Sequence, residues 1–224
     1  MICAIVLAAG ESRRMGTQKL ILPFGGKTVI EHVVEQITRG AVDKVFVVVG
    51  HECERIAAAL SGGPVSVVTN AGYKDGMLSS VRCGLRALPK RCKAILVALG
   101  DQPGVTSELI DAMIRFFADC GKGILVPAHG GKRGHPLLFS SVYREEILAQ
   151  FDNEGLRGLL RAHPEDVAEL AAPHAAVLSD MDYPEDYRRE LGAIETAVAR
   201  ASSRRLAALG RTEKQLRPIR RRRF

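Results

Sequence analysis

The chain has 224 residues, 46% apolar, 25% charged and 5% aromatic, the profile of one globular domain long enough to bury a sizeable core, which excludes a disordered or fibrous chain. No apolar run approaches the roughly 20 residues of a membrane-spanning helix, and residues 1–9 lack the basic leader of a secretory signal, so no transmembrane segment and a cytoplasmic location are expected. The net charge of +7 suggests nucleic acid only until it is divided: residues 200–224 hold ten Lys and Arg against Glu213, a net of +9, and the rest of the chain carries −2, so no nucleic-acid partner is expected for the body.

Apolar runs of strand length recur at residues 3–9, 45–50, 65–69, 94–99, 123–127 and 136–139. Helical spacing appears between them, as in Val29, Ile30, Val33, Val34 and Ile37, and again in Leu109, Ile110, Met113, Phe116 and Phe117. Runs such as V-F-V-V-V at 45–49 are apolar on both faces of a strand, which predicts an α/β fold with a mainly parallel sheet covered by helices on both sides. Such sheets bind ligands at the carboxyl ends of their strands. The segments that follow the strands are therefore the ones to read.

The first strand runs into L-A-A-G-E-S-R-R-M-G-T-Q-K, Leu7 to Lys19. Gly10 and Gly16 let the backbone approach a ligand closely, the turn offers amide N–H groups to an anion, and Arg14 and Lys19 add two cations. The spacing is neither that of a Walker loop nor G-x-G-x-x-G. Its chemistry is that of a polyphosphate cradle.

The stretch D-G-M-L-S-S-V-R, Asp75 to Arg82, opens a helix with N–H groups and the hydroxyls of Ser79 and Ser80, suited to a nucleotide or to capping. Leu99 to Pro103 reads L-G-D-Q-P, and Asp101 stands where a magnesium ligand for a nucleoside triphosphate, or a cap for the following helix, would stand. Thr106 or Ser107 can cap that helix without it. The loop G-G-K-R-G-H-P, Gly130 to Pro136, brings glycines, two cations and His135 to one place, which suits an anionic substrate.

Further on, S-D-M-D-Y-P-E-D-Y, Ser179 to Tyr187, places Asp180 and Asp182 two apart, so in an extended stretch only one of them can share an ion with Asp101. A helix is expected from Tyr183, with Pro184 in its first turn, ending by Gly210. Beyond it, the run of like charge predicts disorder from Arg211. This divides the chain into a domain over residues 1–199 and a basic extension over 200–224. The extension reads as a solubilising segment or as a dock, through Arg220 to Arg223, for an acidic acceptor apoenzyme or a membrane surface. Five cysteines with no C-x-x-C pair read as small core hydrophobes in a reducing compartment.

In order, these blocks resemble the small nucleotidyltransferases of molybdenum cofactor maturation, and most closely the molybdenum cofactor cytidylyltransferases. The likeness spans residues 1–191 through L-A-A-G-x-S-x-R-M-G-x-x-K, K-L-I-L-P-F, G-M-L-S-S, L-G-D-Q-P, R-G-H-P and D-x-D-x-P-E-D-Y. It implies a Rossmann-like three-layer fold and Mg2+-dependent transfer of a cytidylyl group from CTP to the terminal phosphate of molybdopterin. Arg14 and Lys19 would face the triphosphate, with Asp101 and Asp182 on the metal. Leu7, Ala8, Ala9, Gly10, Gly16, Asn70, Ser79 and Ser80 would contact the nucleotide, and Gly134, His135 and Arg157 the acceptor. The related guanylyltransferases tend to have L-A-G-G where this chain has Leu7-Ala8-Ala9-Gly10. Departures are Tyr183 for the usual Thr, Met181 for a β-branched residue, and D-N-E-G-L-R at Asp152 to Arg157, where the family usually has Ala before the Arg. The same chemistry with GTP or with a sugar or polyol phosphate, and a non-catalytic nucleotide sensor or delivery chaperone, are the competing readings.

Overall fold

The computed structural model describes residues 1–196, so the expected helix end at Gly210, the disorder beyond Arg211 and the domain boundary at 199 lie outside the described residues. In chain order the elements are β1 (Ile2–Ala8), β2 (Pro23–Phe24), β3 (Lys27–Thr28), α1 (Val29–Arg39), β4 (Lys44–Val49), α2 (Cys53–Ala59), β5 (Val65–Thr69) and α3 (Met77–Ala87). There follow β6 (Ala94–Leu99), α4 (Ser107–Asp119), β7 (Ile124–His129), β8 (Lys132–Arg133), β9 (Leu137–Ser140), α5 (Arg144–Ala149), α6 (Leu156–Ala162) and β10 (Val167–Ala171). A helix α7 begins at residue 184 and reaches 196.

The sheet has the order β10-β7-β9-β6-β1-β4-β5, with β8 paired to β7. It is parallel at β6-β1-β4-β5 and at β10-β7. Only β9, between β6 and β7, and the short β8 run the other way. Pro136 precedes β9, where its missing N–H costs no ladder bond.

Strand alternation sorts the core into two layers. Ala4, Val6 and Ala8 of β1 face the side covered by Ile30, Val33 and Ile37 of α1, Ile56 of α2, and Ile110 and Met113 of α4. Cys3 and Ile5 face Leu78, Val81 and Leu85 of α3, Ile147 of α5 and Leu159 of α6. The result is the expected three-layer α/β architecture. The cysteines are all free, with Cys3 and Cys92 buried. No helix among the described residues is long and apolar enough to cross a membrane.

Because β1, β4, β5, β6, β7 and β10 share one direction, the loops after them gather along one edge of the sheet.

Candidate functional site

The loop leaving β1 folds around a side chain that its sequence pattern does not advertise. Gln18 is 1% exposed. Its amide donates to the Gly10 carbonyl at 3.3 Å, and its Oε1 accepts from Ser12 Oγ at 2.9 Å. Ser12 Oγ in turn accepts from Lys19 N at 3.2 Å. Between them the short turn Arg13–Met15 is closed at Gly16, whose φ of +68° is the left-handed region that glycine occupies without strain. Sequence reading passed over Gln18 because a lone polar residue in a loop carries no periodic signal.

This fold delivers Lys19 between two carboxylates. Its ammonium lies 2.5 Å from Asp101 Oδ2 and 3.1 Å from Asp182 Oδ1. Burial works to lower the Lys19 pKa, but Asp101 and Asp182 outweigh it and hold the ammonium above its ordinary value. Arg14 Nη1 meets the other oxygen of Asp182 at 2.6 Å, and its guanidinium lies 5.6 Å from the centre of the Tyr183 ring.

Asp101 leaves the end of β6 just after Gly100, whose N–H donates to the Leu7 carbonyl at 2.9 Å. Thr106, not Asp101, caps α4, its hydroxyl accepting from Leu109 N. Met181 is fully buried and donates its N–H to the Asp101 carbonyl at 3.2 Å. Its two neighbours part company. Asp182 meets Lys19 and Arg14, whereas Asp180 accepts from Gln102 Nε2 at 2.6 Å. Burial raises the Asp180 pKa, partly offset by that hydrogen bond.

On the far side, Asn70 follows β5 and is nearly buried, donating to Ser79 Oγ at 2.9 Å and Ser80 Oγ at 3.0 Å and accepting from Gly72 N at 3.0 Å. Asn70 and Ser79 thus brace the 70–76 loop from behind. Leu7, Ala8, Ala9, Gly10, Arg14, Lys19, Ser80, Asp101, Asp180 and Asp182 all line one cleft of ≈ 620 Å³, to which Tyr73, Lys74 and Met77 also contribute. None of these three was singled out from the sequence, although Tyr73 and Lys74 immediately precede the D-G-M-L-S-S block and Met77 lies within it.

Gly16, Gly134, His135 and Arg157 do not line this cleft. Gly134 donates to the Pro127 carbonyl at 2.8 Å, and His135 donates its N–H to the Val177 carbonyl at 2.9 Å. The His135 Nδ1 is buried without a hydrogen-bond partner. Burial pushes that imidazole's pKa down against the opposing pull of Asp180 and Asp101, and the Arg157 charge lowers it further. Arg157 itself lies at the exposed start of α6.

No group of three or more His, Cys, Asp or Glu among the described residues is arranged to hold a metal. Asp101 and Asp182 supply two carboxylates, which suits a cation that takes its remaining ligands from phosphate and water.

A family model described as MobA-like NTP transferase domain matches residues 4–167. Among curated relatives, the nicotine blue oxidoreductase of Paenarthrobacter nicotinovorans is 27% identical over 197 residues, 85% of this chain and 96% of that protein. The probable molybdenum cofactor guanylyltransferase of Mycobacterium ulcerans is 31% identical over 160 residues, 67% of this chain and 72% of that protein. The molybdenum cofactor cytidylyltransferase of Escherichia coli is 24% identical over 187 residues, 83% of this chain and 93% of that protein. Among solved structures, the complex of Rv0371c from Mycobacterium tuberculosis with manganese superposes with a TM-score of 0.73 at 27% identity, covering 85% of this chain and 98% of that one. The family match begins inside β1, takes in the loop around Gln18 and Asp101 beyond β6, and ends only at the start of β10. The chain belongs to the MobA-like NTP transferase family.

Proposed function

We propose that the protein catalyses metal-assisted nucleotidyl transfer from CTP to the terminal phosphate of molybdopterin, or of its metal-loaded form, giving the cytosine dinucleotide and pyrophosphate. The observation that carries this reading is the Lys19 ammonium held between Asp101 and Asp182 beside the Gly10 loop. Cations and carboxylates meeting at the carboxyl edge of a parallel sheet are the means of holding a triphosphate.

Asp101 and Asp182 each place an oxygen within 3.1 Å of the Lys19 nitrogen, so the two carboxylates stand side by side, and a small divalent cation of the magnesium type would take them beside that ammonium. Bound there with phosphate oxygens, such a cation supplies charge neutralisation. The chain's own residues do the rest. Lys19 and Arg14 turn positive charge to the triphosphate, and the backbone of residues 7–10 approaches it closely. The Ala9 methyl and Ser80 wall the nucleoside side. His135, Gly134 and Arg157 are assigned to the acceptor. A phosphate monoester is already largely dianionic near neutral pH, with its second pKa at about 6, so alignment and charge neutralisation suffice and no general base is required.

The lean to cytidine rests on Ala9, which lines the cleft where the guanylyltransferases tend to have glycine; an added methyl narrows the wall and favours the smaller pyrimidine. The molybdopterin acceptor is supported by the names of the two molybdenum cofactor relatives. The deciding experiment incubates the protein with molybdopterin, Mg2+ and each of CTP, GTP, ATP and UTP, and follows pyrophosphate and dinucleotide. CTP is expected to lead. Turnover with GTP, or with a sugar phosphate as acceptor, in the absence of turnover with CTP and molybdopterin would overturn the substrate assignment.

A further inference from the structure

The turn that leads into the acidic loop, Ala175–Leu178, is gripped on two sides by glycines from different loops. A Cβ on Gly134 would stand 2.1 Å from the Val177 carbonyl oxygen and 2.7 Å from its carbon. A Cβ on Gly104 would stand 2.7 Å from the Ala176 Cβ. Real Cβ atoms essentially never come within 3.0 Å of another heavy atom, so a side chain at either position displaces the turn or the loop. Two further contacts fix the same segment. His135 N donates to the Val177 carbonyl, and the buried Met181 donates to the Asp101 carbonyl. Only Ser179, Asp180 and Met181 separate the turn from Asp182, a short path from a displacement at 176 or 177 to the carboxylate.

We propose that Gly104 and Gly134 are positioning residues whose missing side chains seat the Ala175–Leu178 turn and thereby set the Asp182 carboxylate against Lys19 and Asp101. The proposal rests on the nucleotidyl-transfer reading for the task of Asp182. It gives the R-G-H-P and L-G-D-Q-P-G segments a mechanical role besides any contact with ligand: two loops at the sheet edge close like jaws on the segment that brings the second acid.

The two contacts differ in kind, and this makes the idea testable. Gly134 faces a backbone carbonyl, which no substitution removes. Gly104 faces a methyl group, which Ala176→Gly removes. The experiment compares the wild type, Asp182→Ala, Gly104→Ala and the double variant Gly104→Ala/Ala176→Gly. Mn2+ binding is followed by electron paramagnetic resonance in the presence of a non-hydrolysable CTP analogue, the Mg2+ dependence of pyrophosphate release is measured, and thermal unfolding reports on the fold. Gly104→Ala is expected to remain folded, to weaken Mn2+ binding about tenfold and to raise the half-saturating Mg2+ in step, as loss of support behind a metal ligand does. Ala176→Gly is expected to restore both, and Gly134→Ala to show the same defect without that rescue. Ala176→Ser, which enlarges the other side of the contact by one oxygen, gives a smaller loss of the same kind should Gly104→Ala unfold.

Wild-type Mn2+ binding in Gly104→Ala, or a loss that Ala176→Gly leaves in place, would overturn the clamp. Mn2+ binding untouched by Asp182→Ala would overturn the metal reading itself, and the clamp's role with it.

Discussion

Lys19 concentrates the logic of the site in one side chain. An ammonium that is mostly buried loses hydration, and the two carboxylates that face it within 3.1 Å more than offset that loss, holding its pKa above the ordinary value. The dependence is mutual, since Asp101 and Asp182 would otherwise repel one another across a short gap. Asp101→Asn keeps the shape of the side chain and removes one charge of this triad. It is expected to lower kcat by at least about a hundredfold, the scale on which a preorganised charged contact is lost, while leaving the thermal midpoint close to that of the wild type. An Asp101→Asn enzyme with normal turnover would place the acidic function elsewhere. Asn70 and Ser79 call for a different expectation, because their polar atoms are already engaged with each other and with Gly72. Asn70→Ala should loosen the 70–76 loop and raise the nucleotide KM more than it lowers kcat, as steady-state kinetics would show.

At the scale of elements, α1 shows how much of the fold is legible from residues. Its apolar spacing predicts a helix over 28–38, and the structure has Val29–Arg39. Thr28 and Glu31 close a capping box at its start, with Glu31 Oε2 accepting from Thr28 N at 2.7 Å and Thr28 Oγ1 accepting from Glu31 N. Thr28→Ala is expected to cost about 1 kcal/mol in urea unfolding, and the hydroxyl-bearing Thr28→Ser to recover most of it. The long parallel strands were equally readable, because burial on both faces leaves only apolar residues. By contrast, α2 buries a single residue, Ile56, in seven, too little for a 3.6-residue period to emerge. The edge strand β10 has no fully buried residue, and Glu169 at its centre breaks the apolar run that would betray it. The candidate site divides the same way. The loop after β1, Asp101 and Asp182 are conspicuous as motifs, whereas Gln18 and the packing of Gly134 on Val177 depend on contacts between segments far apart in sequence.

For the molecule as a whole, buried titratable groups bracket a pH range of stability. His32 is nearly buried, with its ring 5.1 Å from that of Phe24. Burial depresses its pKa below the ordinary 6.5 despite an opposing hydrogen bond to Pro103, and His135 is depressed for the same leading reason. A depressed folded-state pKa means that the fold favours the neutral ring, so this stability is complete above about 6.5 and is lost as pH falls through the folded-state values. Tyr143 works at the other end. Burial, then its hydrogen bond to Asp166, raises its pKa to about 12 from 10.0, so that contribution is complete below about 10 and is lost as pH climbs toward 12. The buried Cys3 thiol, pushed up to about 12 from 9.0 chiefly by burial, begins to lose its share above about 9, so the urea midpoint is expected to be flat between about 6.5 and 9 and to fall on both sides. Tyr143→Phe should flatten the alkaline fall, and an unchanged alkaline limb in that variant would remove Tyr143 as its cause. The placement of the charged groups along the chain also bears on biosynthesis. Translation delivers β1, in the middle of the sheet, and the Gly10 loop first, then Asp101, and Asp182 only after every described strand has been made. A polypeptide still short of Asp182 leaves Lys19 facing one of its two carboxylates, so the paired-acid arrangement comes into being only once every strand of the described sheet is in hand.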